Sequence, residues 1–497
     1  MTRGRTLALN SLFNLAGAVA PLVAAIVAIP ILIRQMGADR FGVLGIVWTA
    51  IGYFGLFDFG LGRALTLSIA QRLGTKEEPE LSALAWSSLT AMFVLGLVGA
   101  AFIALLTPWA VTHALKMPDD LRGEARTAFY LLAVAMPVFI TTIGLRGMLE
   151  AHRDFALATA LRIPLGLFNF VGPLLVLPWS HRLGPIIGVL VAGRFVGWAM
   201  HLAVCVNRYG YLRGRFTIGA KLPSDIARLG GWMTVSNVVS PLMVSADRVL
   251  IGILISTAAV AYYVTPFEVV SKVWLFPQAV LGVLFPEFAA AASHDRARGA
   301  RLVEGAVRVI LVAVFPVALG FTALAPEGLT LWLGAEFGRV SAPLLQWLAA
   351  GVLINCVGQV AFAALQADAR PDVTAKLHLV ELPFYAVAIW LLVHEYGLRG
   401  VAMAWVLRVT VDTAALFVVI ARRLPNARAP IASNARTLIA LLAVLAVIAV
   451  VPSTASRVAL LVVGLSVFAP FAWWRLLSAD ERLAIRSWFR RKEGATA

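Results

Sequence analysis

The sequence predicts an all-α polytopic membrane protein of about fourteen transmembrane helices, with two six-helix lobes related by pseudo-two-fold symmetry and a C-terminal helix pair. Three observations predict it. Of 497 residues, 60% are hydrophobic and 14% charged, whereas a soluble domain carries about 25% charged residues. The mean hydropathy of +0.86 cannot be packed into a water-soluble core without exposing apolar surface. The apolar residues fall in helix-length blocks, and a faint internal repeat divides those blocks into two sets of six.

The first block, 7–33, follows Arg3 and Arg5. It runs about 25 residues, beyond the roughly 7–15 of a signal-peptide core, and no small-residue cleavage site follows. It is expected to be retained as the first span. Further spans are expected near 42–70, 81–107, 125–148, 155–178 and 183–206, which completes an N-lobe over 1–206. A cytoplasmic linker, 207–227, leads to the C-lobe over 228–422, with spans near 228–254, 258–292, 301–325, 341–366, 373–394 and 398–422. Two more spans, 434–451 and 455–477, make the pair over 434–477. The tail, 478–497, is basic and amphipathic, follows Trp473-Trp474, and suits an interfacial cytoplasmic helix.

The net charge is +16. Lys and Arg counted in alternate loops come to about 26 on one side and about 9 on the other. The richer side takes both termini, so both are expected in the cytoplasm. The basic excess then reflects topology and attraction to anionic lipid rather than nucleic-acid binding. Cys205 and Cys356 lie in separate apolar blocks and suit small buried residues, not a disulfide framework or a zinc site.

The repeat sets Leu149-Glu150-Ala151-His152-Arg153-Asp154 against Leu365-Gln366-Ala367-Asp368-Ala369-Arg370, an offset of about 216. The same offset pairs Leu161 with Leu377, Phe168 with Phe384 and Gly184 with Gly400, and brings Arg194 close to the counterpart of Arg408. Six spans between equivalent positions give two halves of the same orientation, a plan in which substrate binds between the repeats.

Several chemistries are missing. No Gly-Lys dipeptide is present, hence no P-loop, and no H-E-x-x-H pattern. No hydrolase-like motif forms, and Asp58-Phe59-Gly60 has no other kinase element around it. No metal or cofactor is expected. A glycan polymerase or ligase would need a larger outer loop to hold an acceptor. Transport is the class left.

Charged residues inside the predicted spans then carry the functional reading. They are Asp58 and Arg63, Arg194, Asp247 and Arg248, Glu268 and Lys272, Glu381, and Arg408 and Asp412. A cation at the centre of a lone helix costs roughly 3 kcal/mol or more. Glu268–Lys272 and Arg408–Asp412 are spaced i,i+4 and can pair on one helix face. Such pairs serve register between helices, or ion coupling by Asp58, Asp247, Glu268, Glu381 or Asp412. With Arg146, Arg162 and Arg308 nearer the cytoplasmic ends, where they can snorkel to headgroups, cations outnumber anions eight to five, and the surplus suits an anionic substrate: Arg63, Arg194, Arg248, Lys272 and Arg408 are the candidate binding residues. Arginine's planar fork matches phosphate oxygens in particular. Pro266 and Pro277 flank Lys272 and either bend a moving helix or mark irregular packing.

The chain resembles the polysaccharide-transporter branch of the superfamily of multidrug, oligosaccharidyl-lipid and polysaccharide exporters. The resemblance rests on Gly37-Ala38-Asp39-Arg40-Phe41-Gly42, Asp58-Phe59-Gly60-Leu61-Gly62, Ala246-Asp247-Arg248-Val249-Leu250-Ile251-Gly252, Val260-Ala261-Tyr262-Tyr263 and the Phe285-Pro286 step. It implies a flippase, not an enzyme, that carries an undecaprenyl-pyrophosphate-linked oligosaccharide repeat unit across the bacterial inner membrane by alternating access, for exopolysaccharide, capsule or O-antigen. It implies a lipid-linked anionic oligosaccharide as substrate, and membrane lipids, a polysaccharide polymerase and glycosyltransferases as partners. Val260-Ala261-Tyr262 departs from the family's frequent glycine before the tyrosine. The alternatives are a peptidoglycan-precursor flippase, a multidrug or cation antiporter, which the lack of Asp and Glu in 7–33 disfavours, and a non-transporting scaffold.

Overall fold

A computed structural model describes residues 3–58, 60–73, 78–213, 247–368, 370–479 and 481–483. Among them there is helix and no strand. In lipid that is the expected outcome, since a helix satisfies its own backbone where no water can. The tail beyond 483 and most of the linker and span expected at 207–254 lie outside the described residues.

The chain divides into two compact units, Met1–Ala261 and Tyr262–Ala497. The first holds α1 (Arg3–Tyr53), α2 (Leu61–Arg72), α3 (Glu78–Trp109), α4 (Asp119–Ala151), α5 (Phe155–Val176), α6 (Leu183–Arg208) and helical residues 247–254, here α7. Helix α8 (Thr257–Ser271) begins in the first unit and continues into the second. There follow α9 (Leu275–His294), α10 (Arg296–Leu333), α11 (Ala335–Ala367), α12 (Pro371–Tyr396), α13 (Leu398–Arg423), α14 (Arg428–Val450) and α15 (Thr454–Phe471).

Twelve helical stretches among the described residues are long and apolar enough to cross a membrane. One of them, Ala20–Tyr53, bends at Gly37 and so contains parts of two expected spans. The span expected at 228–254 lies largely outside the described residues. A total of about fourteen is consistent with both facts.

Three expected helices differ in detail. The loop expected between 33 and 42 shrinks to one residue: Gly37, at φ 80° and ψ 164°, kinks α1, in a region of φ that favours glycine. The helix expected over 42–70 is interrupted by a 3-10 turn, Phe54–Asp58, and by Gly60 in the left-handed region at φ 77°. The backbone N–H groups of Gly60 and Gly62 donate to the Asp58 carboxylate at 2.9 and 3.3 Å, which restarts the helix as a polar cap does. The helix expected over 258–292 is two helices, α8 and α9, joined by a 3-10 turn at Lys272–Trp274. Pro266 and Pro277 flank that turn, and each lacks the N–H that would continue the α-helical ladder.

Each unit has a central helix. In the first it is α4, 61% of whose most apolar window is buried; in the second it is α11, at 72%. Helix α4 packs on α2, α3 and α6, while α5 packs on α1 and α6. Helix α11 packs on α9, α10 and α13, and α12 packs on α13. Lipid tails are as apolar as leucine, so close backbone approach does much of the work of association. A Cβ on Gly96 of α3 would lie 2.4 Å from Pro137 Cα of α4, and one on Gly351 of α11 would lie 2.4 Å from the Trp405 ring of α13. Trp405 itself is fully buried. The outer helices turn large apolar side chains outward, among them Phe384, Trp390, Val447 and Val463, a surface that suits lipid rather than water.

Two ion pairs repeat between the units. In the first, the Arg208 guanidinium at the end of α6 donates twice to Asp154, at 2.7 and 2.8 Å, just past α4. In the second, Arg423 at the end of α13 donates to Asp368, at 2.8 Å, just past α11. The partners are 54 and 55 residues apart. The acids correspond at an offset two residues shorter than the 216 that aligned the sequence around them.

Candidate functional site

The cations of the first unit sit in three different settings. Arg63, on the first turn of α2, is exposed and makes no hydrogen bond or close ion pair among the described residues, although its charge acts on the nearby Asp58 carboxylate. Arg194, midway along α6, is half-buried. Its guanidinium donates to the Asn169 side-chain oxygen of α5 at 2.8 Å and lies 5.4 Å from the Phe139 ring centroid. Neither partner carries charge, so the cation is oriented and not neutralised. Arg248 on α7 is 8% exposed. It donates to the Thr49 hydroxyl of α1 at 3.0 Å, and that hydroxyl donates to Gly45 O at 2.8 Å. Asp247 is fully buried and accepts the backbone N–H of Arg248 at 2.8 Å.

The second unit treats its charges differently. Lys272, on the 3-10 turn, donates to Glu268 at 3.1 Å, so the i,i+4 pair of the sequence forms. The other expected pair does not. Arg408 and Asp412 are both buried on α13, but Arg408 lies over the Tyr385 ring at 5.4 Å. Asp412 instead meets His378, at 3.5 Å. The physical reason is that α12 presents His378, Glu381 and Tyr385 on one face, at helical spacing. These neighbours across the helix contact draw both α13 side chains away from each other. Glu381 is buried and faces the Asp412 carboxyl. Neither Glu381 oxygen has a hydrogen-bond donor among the described residues.

Other cations are spoken for. Arg146 pairs with Glu150 at 3.2 Å, Arg308 with Glu304, and buried Arg457 with Glu327. The segment Gly37–Gly42 proves to be a joint. Asp39 accepts the Thr257 hydroxyl at 2.7 Å, and Arg40 donates twice to Glu124, at 3.0 and 2.8 Å. Gly42 lies so near α8 that a Cβ there would come within 1.8 Å of Thr257 O. Residues of α7 join the same region, since the Lys116 N–H donates to Gly252 O at 2.9 Å.

A family model described as "Polysaccharide biosynthesis protein" matches residues 7–291. The chain belongs to that family. It is 28% identical over 413 residues to a "Putative O-antigen transporter" of Shigella flexneri, covering 82% of this chain and 96% of the relative. It is 21% identical over 391 residues to a "Probable low-salt glycan biosynthesis flippase Agl15" of Haloferax volcanii, covering 76% of each. Two solved structures resemble the fold. An inward-facing multidrug-resistance transporter of the MATE family superposes with a TM-score of 0.72 at 15% identity, covering 83% of this chain and 99% of that one. The lipid II flippase MurJ in an inward closed conformation gives 0.71 at 12% identity, covering 94% and 98%.

Three of the motifs that carry the family resemblance thus fall into two kinds. Gly37–Gly42 and Asp58–Gly62 shape the backbone and join helices, whereas Arg248 places a charge. Sequence reading missed His378 and Tyr385, whose i,i+3 and i,i+4 spacing about Glu381 was a visible signal. It also missed Thr49 and Asn169, whose roles depend on which helices meet.

Proposed function

We propose that this polysaccharide biosynthesis family member is a flippase of the bacterial inner membrane. It carries an undecaprenyl-pyrophosphate-linked oligosaccharide repeat unit across the bilayer by alternating access, for exopolysaccharide, capsule or O-antigen. The observation that carries the reading is that Arg63 and Arg194 of the first unit make no close carboxylate contact among the described residues. Among the described residues Arg63 is exposed and makes no hydrogen bond or close ion pair, with Asp58 acting on it only through its charge, while neutral groups alone orient Arg194. A cation kept midway along a membrane helix, as Arg194 is, with only neutral groups beside it among the described residues, is available to an anionic cargo. Pyrophosphate fits the guanidinium fork in both geometry and charge. The relatives named as an O-antigen transporter and a glycan flippase support the same cargo class.

On this reading Arg63, Arg194, Arg248, Lys272 and Arg408 engage the pyrophosphate and sugars. Lys272 exchanges its contact with Glu268 for the substrate. Glu381 and Asp412 are the coupling groups: two facing carboxyls in a low-dielectric site call for a proton or cation between them. The substrate and the membrane lipids are its partners, with a polymerase and glycosyltransferases downstream and upstream.

The test is export in cells. Arg63→Ala, Arg248→Ala and Lys272→Ala should each abolish surface polymer while the protein remains in the membrane at normal level. Normal polymer in all three would sink the assignment.

A further inference from the structure

The ends of four spanning helices of the second unit, α9, α10, α11 and α13, line a half-open cavity of about 330 Å³. Its lining is of two kinds. Phe288, Ile420 and Leu424 give it an apolar floor, and Arg296, Arg422 and Arg423 give it a basic rim. One acid, Asp368, joins the rim and is engaged by Arg423 at 2.8 Å. Arg296 and Arg422 have no hydrogen-bond or ion-pair partner among the described residues. The cavity therefore keeps two uncompensated guanidinium groups beside a hydrocarbon wall.

Its depth in the membrane follows from the helices. Helix α9 ends at His294, α10 starts at Arg296, α11 ends at Ala367 and α13 ends at Arg423. Where four spans end together, hydrocarbon gives way to lipid headgroups. The general rule that basic residues flank spans needs arginines near these ends. It does not need two of them to converge on the rim of one half-open cavity without a hydrogen-bond or ion-pair partner among the described residues. Basic pockets between membrane helices at this level take anionic lipid heads. The volume lies at the small end of ligand pockets, about 300–1,000 Å³, so it suits a phosphodiester and glycerol with the acyl chains left outside. We infer that this cavity binds the phosphate head of an anionic glycerophospholipid. The phosphate oxygens sit on Arg296 and Arg422, and the glycerol end lies against Phe288 and Ile420. The site is separate from the mid-span cations, and the inference stands whether or not those cations bind a glycan lipid.

The experiment is native mass spectrometry on the delipidated full-length protein. Phosphatidylglycerol is compared with phosphatidylcholine of the same acyl chains and with inorganic phosphate. The wild type should retain phosphatidylglycerol over phosphatidylcholine. The double variant Arg296→Ala/Arg422→Ala should weaken that retention by about tenfold or more, as expected from the loss of charge-assisted hydrogen bonds. Arg436→Ala removes one cation from an exposed position on α14 and should leave it unchanged. The double lysine variant keeps the charge and should retain part of the preference, which separates lost binding from misfolding. Equal retention of both lipids by the wild type would overturn the inference. So would an undiminished preference in the double alanine variant, or displacement of the lipid by inorganic phosphate at equal concentration.

Discussion

Glu268 and Glu381 are both mid-span acids, and the folded chain treats them in opposite ways. Glu268 has Lys272 one turn away at 3.1 Å, and both side chains are partly exposed, so the pair contributes little to stability. Glu381 is 6% exposed, has no donor among the described residues, and faces Asp412 beside His378. The difference assigns them different tests. Glu381→Gln keeps the shape and removes the acid. Flipping driven by an imposed pH or sodium gradient should fall to the ungradiented rate, with substrate binding retained. An unchanged response to both gradients would remove Glu381 from coupling. At this scale the residue types were legible in the sequence, as was the Glu268–Lys272 pair within one helix, whereas partners across helices were not. A mid-span arginine is visible as a letter. That Arg408 turns to Tyr385 and not to Asp412 depends on which face of α12 it meets.

The repeated ion pairs make a prediction at the scale of elements. The Arg208 guanidinium, followed by the Tyr209 hydroxyl at 2.8 Å, holds the Asp154 carboxyl below the usual carboxylate range, against the opposing effect of its burial. A carboxylate held low contributes stability that is full above its unfolded value of about 3.9 and is lost as pH falls through the lower folded value. Asp154→Ala should therefore lower the thermal midpoint at neutral pH, and the gap to wild type should close below about pH 4. Asp368→Ala should lower the midpoint too, because it frees Arg423 in the same way. Thermal unfolding in detergent across pH measures both, and a gap independent of pH for Asp154→Ala would contradict the account. Element boundaries were readable where an apolar block ends in charge, as with Leu183–Arg208 and Leu398–Arg423, expected at 183–206 and 398–422. They were unreadable where a helix breaks within an apolar block. Phe54–Asp58 looks like more span, and only the Asp58 bonds to Gly60 and Gly62 show the restart.

At the scale of the whole molecule, composition alone determined that the chain crosses a membrane many times, because no other solvent accepts so much apolar surface. The repeat was harder to read. Apolar positions exchange freely in lipid-facing helices, so identities fade, and what survives is a plan. Central helices α4 and α11 each end beside an acid that holds the end of α6 or α13. The central claim is that the candidate cations, Arg63 and Arg248 among them, move a pyrophosphate-linked glycan lipid. It is tested most directly with the full-length protein in proteoliposomes loaded with an undecaprenyl-pyrophosphate-linked oligosaccharide. The rate at which the sugar becomes accessible to an impermeant lectin is the measurement. The account predicts transfer by the wild type, transfer slowed by about tenfold or more in Arg63→Ala and Arg248→Ala, and a wild-type rate for Arg436→Ala. Transfer at the wild-type rate in both the Arg63 and Arg248 variants would contradict it.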